Sequence, residues 1–199
     1  MSDCEGSLAV AGLEYHNKSM RRLALLLALF SPGWACGFQA PKIWAMLWET
    51  PAARFDRTFL SLMQNHYEQT KGMGERFLSQ ISDPKLKSWT QILINDHKTV
   101  LKEIQAELSS LGGTDAKAVE VMKSEMALDW EGLQTGAREG KANETYPGWM
   151  VTNGFSAIGM AQQALERTKN PKVRELARQI VAAESNRVEQ LQIYLMGGR

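Results

Sequence analysis

The chain carries one pattern twice, at an offset of 87 residues, the distance from Met63 to Met150. Met63, Met73 and the Asp83-Pro84-Lys85 turn recur as Met150, Met160 and the Asn170-Pro171-Lys172 turn, with no gap between them. Gly72 pairs with Gly159, Leu78 with Leu165, Lys87 with Arg174, Leu93 with Ile180, Leu101 with Val188 and Leu108 with Leu195. A repeated supersecondary unit cannot bury its apolar face alone, so the copies are expected to pack on each other. The copies also differ. His66 aligns with Asn153, Tyr67 with Gly154 and His97 with Glu184.

Each copy reads as two helices. Residues 50–80 open on Thr50-Pro51, a capping residue followed by proline at the first helical position. Phe55, Phe59, Leu62, Met63, His66, Met73 and Phe77 then follow near helical spacing. A second helix over 84–111 is capped by Asp83, opened by Pro84 and stopped by Gly112-Gly113. Its apolar stripe takes in Leu86, Trp89, Ile92, Leu93, Val100, Leu101, Ile104 and Leu108. The second copy repeats this layout over 147–168 and 171–196, capped by Asn170 and stopped by Gly197-Gly198. Between the copies, residues 114–140 form a weaker helix, because Gly132 and Gly136 lower its propensity.

Two tight hairpins joined by a connector of about 35 residues imply an all-α fold of the ferritin-like kind. Here a four-helix bundle is built from two αα-hairpins, and the long crossover runs the length of the bundle. The domain spans 41–199, with the first repeat over about 53–110, the crossover over 111–142 and the second repeat over about 143–196.

Residues 1–40 read as a leader. Arg21-Arg22 precedes an apolar run of eight residues, Leu23 to Phe30, which Ser31-Pro32-Gly33 breaks. That is the layout of a secretory signal, and it is too short to span a bilayer. Cleavage after Ala35 or Ala40 fits, and Met20 is an alternative start. Export to the periplasm or the medium follows, with membrane contact only through an uncleaved leader. Cys4 and Cys36 both fall in this segment, so the domain is expected to lack a disulfide. A net charge of +1 gives no electrostatic case for a nucleic-acid partner. The sequence names no protein partner.

The unequal positions suggest a metal site. Met63 and His66 are three residues apart and share a helix face. His66 lies about sixteen residues before the turn at Ser82-Asp83 and His97 about fifteen after it, so hairpin closure brings them to one height. If the hairpins are related by a pseudo-two-fold, Met160 falls near Met63 and His66, and Met150 near Met73. Thioether with imidazole suits Cu(I) or Ag(I) and serves Mg, Ca or Mn poorly. A di-iron site would need inward carboxylates and a Glu-x-x-His pair from each hairpin; no helix here contains that motif, which leaves a divergent di-iron enzyme as the third reading. The competing expectation is a metal-free bundle in which methionines fill the core and the protein has a structural or interaction role. Tyr67 and Trp89 read as packing aromatics. No nucleophile motif or phosphate loop indicates an enzyme.

Met63-x-x-His66-Tyr67 followed by Met73 resembles the Met-x-x-His-His…Met motif of a family of ferritin-like helical bundles, long catalogued as a domain of unknown function, whose exported members include periplasmic copper-binding proteins. Tyr67 stands where the second histidine of that motif would be. In the second copy, Met150 and Met160 keep the framework, while Asn153 and Gly154 replace both histidines. The Asp96-His97 pair is similar to one in a sister group of exported ferritin-like domains. The resemblance implies copper or silver binding through Met63, His66, Met73, Met150 and Met160, in resistance or homeostasis. His97 joins this set from the hairpin register alone.

Overall fold

The structure, a computed structural model, describes residues 41–197. The leader expected over 1–40 lies outside the described residues. Six helices are seen among them: α1 (Pro41–Glu49), α2 (Ala52–Phe77), α3 (Pro84–Ser110), α4 (Ala116–Arg138), α5 (Ala142–Arg167) and α6 (Pro171–Leu195).

The two hairpin turns form as expected. Asp83 Oδ1 accepts from the Leu86 amide at 2.8 Å, and Asn170 Oδ1 accepts from the Lys172 amide at 2.9 Å. Each side chain satisfies a backbone donor that the first helical turn leaves without a partner. Pro84 and Pro171 then sit at the first helical positions, where proline has no amide to waste. Gly112 and Gly113 end α3 at φ values of 86° and 87°, a region open to glycine at little cost.

The long connector crosses the bundle. Arg57 on α2 donates to the carbonyls of Gly113 and Thr114, and Thr58 Oγ1 donates to Asp115, so α4 starts beside the N-terminal end of α2. Near its other end, Trp130 meets Phe77 edge-on and Arg76 lies over its ring. Helix α4 therefore runs alongside α2 for most of the bundle's length. Helix α5 returns antiparallel to α2, with Asn143 near Ser82 at one end and Arg167 over Phe55 at the other. Helix α6 pairs with α3, from Asn170 against Glu107 to Tyr194 against Trp89. This is the expected ferritin-like arrangement, with α2, α3, α5 and α6 as the bundle.

Four expectations need correction. Helix α1 was not foreseen; it buries Ile43 and Leu47, and Arg167 holds its end by donating to the carbonyls of Leu47, Trp48 and Thr50. Thr50 does not cap α2. Its hydroxyl instead donates back to Met46 O at 2.6 Å, and Pro51 stands at the cap position. Helix α5 begins at Ala142, so Pro147 lies inside it and leaves Asn143 O without the usual amide partner. Asn143 holds that first turn in place, since its Oδ1 accepts from the amides of Ser82 and Asp83 and its Nδ2 donates to Ser82 Oγ. Finally, Ile92, expected on the apolar stripe of α3, faces out at 53% exposed, while Ile94 is buried in its place.

Small residues set the closest helix pair. Gly154, Ala157, Ala161 and Ala164 share one face of α5, and an added Cβ at Gly154 would lie 2.5 Å from Val188 Cγ2 of α6. We predict that Gly154→Ala destabilises the fold by about 1–3 kcal/mol through overpacking. Thermal unfolding followed by circular dichroism checks this, and a melt matching the parent would contradict so close an approach.

Candidate metal centre

Two contacts bracket the interface between α2 and α5. Tyr146 stacks on Phe77 with ring centroids 5.5 Å apart, and the Arg167 guanidinium lies 4.4 Å above the Phe55 ring. On α5, the residues Tyr146, Asn153, Met160 and Arg167 follow at steps of seven. Steps of seven keep to nearly one line, so Asn153 and Met160 lie on the line that meets α2. On α2, Phe55, His66 and Phe77 follow at steps of eleven, about three turns, so His66 lies on the line that meets α5. His66 is midway between the two contacts. It thus stands opposite the stretch of α5 from Asn153 to Met160, with Met63 one turn away on its own helix.

All four side chains are buried. Asn153 Nδ2 donates to Trp149 O at 2.9 Å, but its Oδ1 and the nearby Ser156 Oγ have no hydrogen-bond partner among the described residues. Buried polar atoms in that state are uncommon and ask for a ligand, an ion or a water. A buried imidazole, two thioethers and an orphaned amide oxygen fit a soft or borderline metal ion.

A second cluster lies on the other side of Tyr67. The Tyr67 ring meets the His97 ring at 4.4 Å and the His66 ring at 5.7 Å, edge-on to both. Tyr67 OH donates to Glu184 Oε1 at 3.1 Å, so this aromatic is a polar link as well as a packing group. Arg187 donates to Glu184 through Nη1 and to Asp96 through Nη2 at 3.3 Å. His97 Nδ1 is 3.1 Å from Thr70 Oγ1, and its Nε2 is 3.5 Å from both Glu184 Oε1 and Arg187 Nη1. Contacts of 3.5 Å are at the outer limit of hydrogen bonding, so Nε2 is the most loosely held atom of the cluster. Residues 97 and 184, equivalent in the sequence alignment, face each other here.

Burial controls the charge states. Desolvation lowers the His66 pKa to about 4; Glu184 opposes this in part and His97 adds to it. Burial likewise lowers the His97 pKa, against the raising influence of Glu184. Both imidazoles are neutral near pH 7, the form that binds metals. For Glu184, burial alone would raise the pKa, but hydrogen bonding to His97 and the Arg187 charge outweigh it and hold it at about 2.

The predicted sites divide accordingly. Met63, His66 and Met160 are all buried; helical spacing puts His66 and Met160 on the lines through which α2 and α5 meet, with Met63 one turn from His66. His97 is at the same height but across Tyr67, within the buried stripe of its helix. Met73 lines a groove beside α4 with Glu68 and Trp130, whereas Met150 lines a pocket beside α3 and α6 with Trp89 and Leu191. Met73 and Met150 are each four residues inward from the Phe77–Tyr146 stack, so they stand at one level of the α2–α5 interface. Sequence reasoning missed Asn153 and Arg187 as site residues and named Glu184 only as the residue aligned with His97. The signal for Glu184 was a carboxylate between Ile180 and Val188 at four-residue steps, on the apolar stripe of α6. Among the described residues no group of three or more His, Cys, Asp or Glu is placed to hold a metal ion, so a metal would need thioether or amide ligands.

The chain is thus a ferritin-like bundle with an imidazole–thioether interior. It belongs to the family described as a domain of unknown function, DUF305, which matches residues 56–195. Among solved structures, it is similar to CopM in the Cu(II)-bound form, at 20% identity and a TM-score of 0.60, over 72% of this chain and 97% of that one. No curated protein matches.

The charge states predict the acid response. His66 has a folded pKa of about 4 against an ordinary 6.5, so below pH 6.5 the unfolded chain takes up the proton first. Its contribution to stability is complete above pH 6.5 and falls by about 3 kcal/mol as the pH drops toward 4. Glu184 adds a further loss as the pH falls from about 4.5 to about 2. His66→Asn, which installs the residue of the aligned position, should reduce the loss in the first window to the part that His97 contributes and leave the second. Urea unfolding from pH 7 to pH 3 tests this, and an unchanged profile in the variant would contradict it.

Proposed function

We propose that this chain is an exported, non-catalytic protein that binds Cu(I), with Ag(I) as its chemical analogue, in copper homeostasis or resistance. The observation that carries the reading is the buried group of Met63, His66 and Met160 between α2 and α5, with His66 held neutral. Neutral thioethers keep their lone pairs at any pH, and burial favours soft, weakly hydrated monovalent ions over strongly hydrated ones. His97, Met73 and Met150 are secondary donors, each reached from its own part of the bundle. Membership of the family and the likeness to a protein seen with Cu(II) support a copper assignment, and the leader-like residues 1–40 support export.

A second reading is a metal-free bundle with a structural or interaction role. One observation favours it: Tyr67, Glu184, Arg187 and Asp96 satisfy one another without any metal. Titration with Cu(I) under reducing conditions separates the two. The copper reading predicts binding with Kd below about 1 μM, equivalent to roughly 8 kcal/mol. That binding should weaken at least tenfold in His66→Asn and in Met63→Leu, both chosen to keep the core filled. A wild-type protein that takes up no Cu(I) would sink the copper reading and leave the metal-free one.

A further inference from the structure

A pocket of about 290 Å³ opens between α3, α5 and α6, walled by Trp89, Leu93, Met150 and Leu191 and carrying Asp96 and Arg187. Arg187 stands between this pocket and the buried cluster. Its side chain keeps 14% of its surface exposed, against 3% for His97 and 4% for Glu184. Nη1 donates to Glu184 Oε1 and lies 3.5 Å from His97 Nε2, while Nη2 reaches Asp96 at 3.3 Å. The guanidinium thus occupies the place that a metal cation would take between a carboxylate oxygen and an imidazole nitrogen. Glu184 is the buried carboxylate of this cluster, since Asp96 has more than half of its side chain exposed.

We propose that Arg187 sets metal selectivity: by occupying the cation position beside Glu184 and His97, it denies divalent ions an anionic ligand and leaves the neutral Met and His donors to monovalent Cu(I) or Ag(I). This rests on the copper reading above. Divalent zinc, nickel and Cu(II) favour nitrogen with oxygen, and their hydration is costly to remove without an anion to replace it. With Arg187 present, such an ion meets a fixed positive charge at the inner wall of the pocket. Removing that charge leaves Glu184 buried and uncompensated, a state relieved by taking up a proton or another cation. Asp96, Glu184 and His97 face Arg187 from α3 and α6, and Tyr67 approaches Glu184 from α2, so the arginine is the cation that balances this cluster.

The test is zinc(II) affinity, measured by competition with a chromophoric chelator on the folded chain. Arg187→Met, which keeps most of the apolar stem, should bind zinc at least about tenfold more tightly than the wild type. Arg187→Lys should behave like the wild type because it keeps the charge. The double variant Arg187→Met/Glu184→Gln should lose the gain. Arg187→Gln, neutral but able to hydrogen-bond Glu184, replaces the methionine variant if that one does not fold. A neutral variant with wild-type zinc affinity would overturn the proposal, as would an equal gain in Arg187→Lys or a gain that survives loss of the carboxylate. The zinc comparison needs no copper, so a wild type that fails to bind Cu(I) counts against the copper reading separately.

Discussion

A buried carboxylate organises the middle of this bundle. Glu184 projects from the apolar stripe of α6 and takes donors from Tyr67 on α2 and Arg187 on its own helix, beside His97 on α3. An isolated carboxylate at that depth would be expensive, and a paired one is tolerated only if its lone pairs are filled. Satisfying Glu184 therefore fixes the rotamers of Tyr67 and Arg187 and the relative height of three helices. The positions of both histidines follow, since Tyr67 stands against each ring. Arg187 in turn is anchored to the outer edge of α3 through Asp96.

The same network divides the interior. On one side of Tyr67 lies a charged, hydrogen-bonded cluster that is complete without a metal. On the other lie His66, Met63, Met160 and the orphaned oxygen of Asn153, neutral and incompletely satisfied. The inequality between the aligned copies creates this division. Glycine at 154 lets Val188 and Glu184 approach α5, where tyrosine at the aligned position 67 fills space and supplies a hydroxyl.

Much of the architecture was legible from local chemistry. The Asp83-Pro84 and Asn170-Pro171 turns cap and open helices by short-range hydrogen bonding, and the apolar stripe of α2 is buried as its spacing implied. The height of His97 relative to His66 was also readable, because it depends only on turn position and rise per residue. What failed depended on tertiary contacts. Pro147 looked like a helix start, but Asn143, clipped to the hairpin turn at Ser82, extends the helix upstream of it. The rotation of α5 about its axis, which turns the line of Asn153 and Met160 toward α2, was not readable from the sequence. That rotation is fixed by Tyr146 on Phe77 and Arg167 on Phe55, pairs far apart in sequence. The Glu184–Arg187 network was likewise hidden, since a carboxylate on an apolar stripe gives no sign of its partners on other helices.

In the proposed function the metal lies between α2 and α5 and is held by sulfur as well as imidazole. X-ray absorption at the copper edge of the Cu(I)-loaded protein addresses it most directly. The expected result is a low-coordinate Cu(I) whose first shell contains both sulfur and nitrogen scatterers, with the nitrogen contribution reduced in His66→Asn. A first shell of nitrogen and oxygen alone, unchanged by that substitution, would contradict it.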